Sequence, residues 1–307
     1  MNKLLPKLKQ ANASVPTGRV HLSKVPVSAI QYLNANSESA ANFANYHFRM
    51  KVISRSDHRC VLHCVAYRSA CEMLGGDGNS VADYSRRKGV IYCEIVAPKN
   101  CPSWVRVRNS LWIEAAKAEK RKNSIEAREI EVTIPFGLAS DDAAALAREF
   151  AVEVSEKHGI VVDFSLHLDA RKDWSGLPKN HRGYHVHFLL TTRRLGALGF
   201  EEKSRELDLK TSGLVRYWRS RWQELANTAL EKNGLNQRID HRSNAARGIQ
   251  RSPTKYLGPK VVAMERRGIK TDLGNLNRSI INNLGFEPRT SDGPPDRSTK
   301  DRKEESI

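Results

Sequence analysis

Long hydrophobic runs are missing from this chain. Its longest uncharged stretches, such as residues 27–37, fall well short of the roughly 20 apolar residues that a bilayer crossing needs, so no membrane insertion is expected. The first ten residues (MNKLLPKLKQ) carry positive charge with no apolar stretch behind it, which is not the pattern of a secretory leader. Cysteine is scarce and odd in number: Cys60, Cys64, Cys71, Cys93 and Cys101. Five thiols in 307 residues do not read as a disulfide framework, and a reducing, cytoplasmic location is expected. Negative charge is in short supply too, with 34 Asp+Glu against 51 Lys+Arg, a net +17. A polyanion is the natural partner of such a surplus. No repeat of fixed period is visible. Apolar content is not lacking: at 39% it suffices for a packed interior and excludes a wholly disordered chain.

Residues 1–45 are polar, small-residue text, read as a loosely ordered extension with one short helix near 29–33. From Tyr46 to Ile53, Tyr46, Phe48, Met50 and Val52 alternate with His47, Arg49 and Lys51, as in a half-buried strand. A helix is predicted over about 60–74, ended by Gly75 and Gly76, then a strand over 89–97 and a helix over about 109–122. Residues 129–135 (EIEVTIP) read as a third strand with Ile130, Val132 and Ile134 inward. Ser140 is placed as the cap of a helix that Gly159 stops. Strands follow over 161–169 and 183–192. Residues 214–233 form an amphipathic helix with Trp218 and Trp222 in its apolar stripe and Arg216, Arg219 and Arg221 mostly away from it. The fold class is α+β, a mainly antiparallel sheet flanked by helices. Four parts are expected: the extension 1–45, a catalytic domain 46–200, a helical, basic segment 201–286, and a disordered tail 287–307.

The most specific local feature is His185, Val186, His187 inside GYHVHFLLTT. Side chains alternate on a strand, so Val186, Phe188 and Leu190 pack inward while both histidines project together, about 7 Å apart at Cα. In VVDFSLHLDA the same parity puts His167 on the non-core face with Asp163 and Asp169. A His-hydrophobe-His pair alone is more often structural; a third histidine of matching parity turns the reading towards a metal site. Glu129 and Glu131 also face away from the core, as ordinary surface acids or as groups that orient a ligand or move a proton. Glu94 is a weaker candidate of the same kind. The helix CVLHCVAYRSAC lines up Cys60, Cys64, Tyr67 and Cys71 on one face. The cysteines read as small core filler rather than a zinc site. Tyr67 is the odd member, either a buried phenol with a bonded hydroxyl or a nucleophile.

AYRSA around Tyr67, EIVAPKNCPSWV, AREIEVTIP, HVHFLLTTR and the later LEKNGLNQRIDHRSNAARGI and YLGPKVVAMERRGI, in this order and spacing, resemble the MobA/MobL relaxases. These are plasmid mobilisation nickases of the His-hydrophobe-His endonuclease class. The resemblance spans about residues 46–270, with Tyr256 where the family often has histidine. It implies a palm-like sheet fold and nicking of one strand at a transfer origin. It makes Tyr67 the nucleophile, His167, His185 and His187 the metal ligands and Glu131 the acid, with Glu129 the adjacent option. A divalent ion (Mn²⁺, Mg²⁺ or Zn²⁺) would neutralise charge on the scissile phosphate, since a phenol with pKa near 10 is a poor nucleophile unaided. Tyr67 would form a 5′-phosphotyrosine, with Glu131 taking the phenolic proton. The implied partners are supercoiled or single-stranded origin DNA, accessory mobilisation proteins, and a type IV coupling protein with its secretion channel.

Further DNA contacts are expected from the basic surface and from Trp174 or Tyr184 stacking on bases, with core or loop-anchoring roles as the alternative. Asp240, His241 and Arg242 either organise a loop or touch DNA, and Arg216, Arg219 and Arg221 are expected to be solvated. A rolling-circle replication initiator is the competing enzyme; it typically carries its tyrosine after the paired histidines, whereas Tyr67 precedes His185 by 118 residues. A non-catalytic nucleic-acid-binding protein is the competing class. Tyr84 is the alternative nucleophile.

Overall fold

Alternation of apolar and polar residues puts five segments into strands, and their pairing sorts two faces that are both put to use. The computed structural model describes residues 46–168, 183–208, 213–248 and 252–281. Expectations for 1–45, Asp169, Trp174 and 287–307 lie outside the described residues. In chain order the elements are β1 (Phe48–Ser54), α1 (Val61–Ser69), β2 (Glu72–Leu74), β3 (Ser80–Asp83), β4 (Val90–Val96), α2 (Arg108–Ala118), β5 (Ile125–Thr133) and α3 (Ser140–His158). Then come β6 (Val162–Leu168), β7 (Tyr184–Thr191), β8 (Arg193–Gly196), β9 (Gly199–Lys203), α4 (Leu214–Lys232), α5 (Gly258–Arg266) and α6 (Asp272–Ile281). One sheet of order β1-β5-β7-β6-β4 is antiparallel at every pairing, with two small hairpins, β2-β3 and β8-β9, beside it. The architecture is the expected α+β arrangement. None of the described helices is long and apolar enough to cross a membrane.

The first face carries Ile130, Val132, Phe164, Leu166, Val186 and Phe188, packed beneath α3 and α4. Phe150 of α3 sits at the centre, its ring 5.0 Å from Phe188, 5.4 Å from Trp218 and 5.3 Å from Trp222. Helix α4 is therefore part of the core that supports the sheet. Two of its arginines are not solvated as expected. Arg219 donates to the carbonyls of Phe48 (2.9 Å) and His241 (3.2 Å), tying α4 to β1, and Arg221 pairs bidentately with Glu153 at 2.6 and 2.7 Å. Arg216 is exposed. Tyr184 packs against the first core rather than standing free.

The second face, which carries the histidines and acids read as facing away from the core, is not polar throughout. At one end Ile53, Ala127, Val161 and Leu189 are buried under α1 and α2, against Val65 and Trp112 among others. Only the other end is polar. Helix α1 also ends sooner than expected: Ala70 adopts φ 49°, ψ 50° and its N–H bonds the Ala66 carbonyl, after which residues 72–74 pair with 80–83 instead of continuing the helix. The expected row of Cys60, Cys64, Tyr67 and Cys71 on one helical face is thus broken at both ends, with Cys60 as the cap residue. Ser140 is the first helical residue of α3, not its cap; Ala139 holds that place with no side-chain bond, and Gly159 at φ 64° closes the helix as expected. Strand β5 begins at Ile125, because Glu126 and Arg128 are buried in ion pairs and not part of a polar loop. The β8-β9 hairpin was not foreseen.

Candidate metal centre

Antiparallel register assembles the polar end of the second face. His167 lies opposite His185, and Glu131 opposite His187; on the far side of β5, Arg49 lies opposite Glu131 and Lys51 opposite Glu129. Residues directly opposite share a face, so four strands bring their polar side chains to one place. The three imidazole centroids are 5.0 Å (His167 to His185), 4.8 Å (His167 to His187) and 5.2 Å (His185 to His187) apart. One ligand atom from each lies within 4.8 Å of the others, and a second such group is formed by Glu129, Glu131 and His187.

Hydrogen bonds fix what each ring can offer. His167 is buried, and its Nε2–H donates to the Arg68 carbonyl at 2.6 Å. That tautomer leaves the lone pair on Nδ1, which is buried with no hydrogen-bond partner among the described residues. An imidazole nitrogen with nothing to accept from is what a metal ligand requires. Burial pushes the pKa of His167 down to about 3, opposed by the bond to the Arg68 carbonyl and reinforced by the charges of His187, His185 and Arg87. The ring is therefore neutral and able to ligate throughout the physiological range. His187 donates Nδ1–H to Glu129 Oε1 at 2.7 Å, the carboxylate-histidine arrangement that aims the remaining nitrogen at a metal. The residues present fit a divalent cation.

Glu129 has no exposed surface and is held from three sides. Arg68 grips it bidentately, both contacts 2.6 Å, and Lys51 Nζ approaches at 3.2 Å. Burial alone would raise its pKa, but the bonds from His187 and Arg68 and the charge of Arg68 outweigh it and hold the carboxyl well below the usual range. Glu131, the acid expected to serve, is 27% exposed at its side chain and shares Lys51 at 3.2 Å, with His47 4.0 Å away. Of the two, Glu129 touches a histidine of the cluster. Parity had marked both acids; only the three-dimensional partners separate them. Lys51 carried the same parity signal on β1 and was passed over. Glu94 faces the opposite way: it lies across from core residue Phe164 and bonds Arg148 and Tyr92.

The C-terminal end of α1 reaches this end of the sheet, tied down by Arg68 through its guanidinium to β5 and through its carbonyl to β6. The preceding residue is Tyr67, 46% exposed, so its phenol is not the buried, satisfied aromatic of the alternative reading. Its ring meets the Tyr84 ring edge-on at 5.4 Å and carries the Arg87 guanidinium 4.2 Å from its centroid. The cysteines play no visible chemical part. All are free thiols; burial pushes Cys71 up to about 11 and raises Cys93 as well, which suppresses thiolate. Asp240 pairs with Arg242 at 2.7 Å and His241 bonds Gln223, so this trio organises a loop in the described structure.

The MobA/MobL family model matches residues 59–267, which hold the tyrosine, the acids and all three histidines. Mobilization protein MobL of Acidithiobacillus ferridurans is 35% identical over 248 residues, 73% of this chain and 64% of that protein. Conjugal transfer protein TraA of Agrobacterium fabrum is 29% identical over 75% of this chain and 23% of its own length. A chain solved in work on the "Molecular Basis of Vancomycin Resistance Transfer in Staphylococcus aureus" superposes with a TM-score of 0.56 at 31% identity, covering 65% of this chain and 100% of the other. The present chain thus spans less than two thirds of the curated relatives' length. Motif order, sheet topology and these similarities together establish that the chain belongs to the MobA/MobL family of plasmid mobilisation proteins.

Proposed function

We propose that this protein is a relaxase that nicks one DNA strand at a plasmid transfer origin through Tyr67, stays covalently joined to it, rejoins it later, and so initiates mobilisation. The observation that carries this reading is Arg68, which sits next to Tyr67 and touches both His167 and the acid that orients His187. A half-exposed phenol and two rings of the three-imidazole cluster are thereby tied to one residue. A divalent cation at the cluster supplies charge neutralisation on a phosphate oxygen; Mn²⁺, Mg²⁺ and Zn²⁺ all suit imidazole with oxygen ligands, Zn²⁺ most tightly. His167, His185 and His187 hold it, and Glu129 keeps His187 in its tautomer. The Tyr67 hydroxyl attacks phosphorus, the bond to the 3′ oxygen breaks, and a 5′-phosphotyrosine and a 3′-hydroxyl result. Glu131 takes the phenolic proton. Because the phosphodiester energy is kept in the tyrosyl ester, attack by a 3′-hydroxyl reverses the step. The substrate is supercoiled or locally single-stranded origin DNA in the cytoplasm. Accessory mobilisation proteins and a type IV coupling protein with its channel are the further partners.

The test is covalent capture. Incubation with supercoiled origin DNA and Mn²⁺, followed by detergent, should leave a protein-DNA adduct whose linked peptide contains Tyr67. Tyr67→Phe should abolish the adduct while DNA binding persists, and His187→Ala should lose cleavage and bound metal together. An undiminished adduct in Tyr67→Phe would refute the nucleophile, and full metal content in His187→Ala would remove the histidine site.

A further inference from the structure

Three inward-facing arginines come with their anions. Arg68 meets Glu129, Arg108 meets Asp163 at 2.9 and 3.0 Å, and Arg128 meets Asp208 at 2.9 Å. Arg87 does not follow the pattern. It is half-buried in the segment between β3 and β4, where its backbone N–H closes a turn on the Tyr84 carbonyl at 2.8 Å. Among the described residues no carboxylate pairs with it, and its Nη1 is buried without a hydrogen-bond partner. Leaving a guanidinium nitrogen dry and unbonded is unfavourable; Arg128 also has two such nitrogens but keeps a carboxylate on its third, whereas Arg87 has no carboxylate among the described residues.

What surrounds it points to a role. The guanidinium lies 4.2 Å from the centroid of the Tyr67 ring, and the Tyr84 ring meets the same phenol edge-on. Its charge also reaches His167, where it helps keep that imidazole neutral. Arg87 therefore lies against the phenol itself, with one guanidinium nitrogen that has no partner among the described residues. A planar fork of N–H donors matches the oxygens of a phosphodiester, and a fixed cation at that point opposes the charge that repels an incoming phenolate.

We propose that Arg87 is a catalytic residue of the nicking step: its guanidinium, lying on the face of the Tyr67 ring, holds that ring in position for attack and binds a non-bridging oxygen of the scissile phosphate as the phosphate meets the phenol. This rests on the nicking function proposed above. The step is a balanced transesterification. The Tyr67 Oη–P bond forms, the P–O3′ bond breaks, and the proton lost by the phenol is matched by the one that the 3′ oxygen gains. Arg87 neither gives nor takes that proton, so its part is electrostatic and positional. The edge-on contact with Tyr84 further restrains the phenol.

The experiment uses the full chain, Mn²⁺ and a randomised pool of single-stranded oligonucleotides, with adducts read on denaturing gels and the linked peptide identified by mass spectrometry. Arg87→Ala and Arg87→Gln are compared with the wild type at several oligonucleotide concentrations, with and without added ethylguanidinium. Loss of one preorganised donor to a phosphoryl group is expected to slow adduct formation about 100-fold at saturation, with a much smaller change in the half-saturating concentration. Ethylguanidinium should restore adducts to Arg87→Ala but not to Tyr67→Phe, and Arg87→Lys should stay impaired, since an ammonium lacks the fork. Thermal midpoints of the variants should match the wild type. Wild-type rates in Arg87→Ala would overturn the proposal, as would a loss that ethylguanidinium leaves unchanged and that tracks a lowered thermal midpoint. A wild-type adduct on Tyr67 beside an unaffected Arg87→Ala removes the arginine alone; absence of any wild-type adduct removes the nicking reading and the arginine with it.

Discussion

Removing the Glu129 carboxylate would strand the Arg68 guanidinium, which is buried and pairs with no other carboxylate among the described residues. Breaking one side of a buried ion pair costs about 3–5 kcal/mol, so Glu129→Ala should lower stability by that amount in urea unfolding. Glu131→Ala should cost less than about 1 kcal/mol, because its acid is partly exposed and Lys51 keeps Glu129 as a partner. Equal losses in the two variants would contradict the division of labour between the acids. The sign of the pH effect follows from the same contacts. The folded-state pKa of Glu129 lies below its unfolded value, so its contribution is full above the ordinary carboxylate range and drains away as pH falls through it. Acid unfolding of Glu129→Gln should accordingly begin from a lower plateau and be less steep near pH 4 than that of the wild type.

Among the elements, α1 is the one whose end matters most. Ala70 holds a left-handed conformation that costs a residue with a Cβ roughly 1 kcal/mol. Ala70→Gly should raise stability by a comparable amount, visible as a higher denaturant midpoint with an unchanged slope. This residue also shows where the sequence was legible and where it was not. Strand parity was legible: Ile130, Val132, Val186 and Phe188 are buried, and His167, His185 and His187 share the other face, as alternation predicts. The end of α1 was not, because alanine is a strong helix former and nothing local announces a left-handed turn at residue 70. The start of β5 was hidden for another reason. Glu126 bonds Arg55 and the Val61 N–H, 71 and 65 positions away, and Arg128 bonds Asp208 across 80. A charged residue whose partner lies that far along the chain looks the same, locally, as one facing water. Arg87 was silent for the same reason: in YSRRKG nothing distinguishes a surface arginine from one laid on a phenol.

At the scale of the molecule, the sheet is held between two cores, and the upper one depends on α4. Trp222 has no exposed surface and touches both Phe150 and Phe188. Trp222→Ala should cost about 3–5 kcal/mol and lower the thermal midpoint of the whole sheet, not merely loosen α4. A separate, lower-temperature transition confined to α4 would show instead that the helix is an appendage. The tie between Tyr46, whose hydroxyl bonds the Arg219 carbonyl at 2.8 Å, and the Arg219 bond back to Phe48 points to a single cooperative unit.

Arg68 is clamped at its tip by one strand and at its main-chain oxygen by another, so α1 cannot shift without disturbing two of the three rings. By linkage, whatever tightens ion affinity must also steady the helix beneath the phenol, and whatever engages the phenol must feed back on the ion by the same factor. Cation titration therefore becomes a gauge of how firmly the nucleophile is aimed.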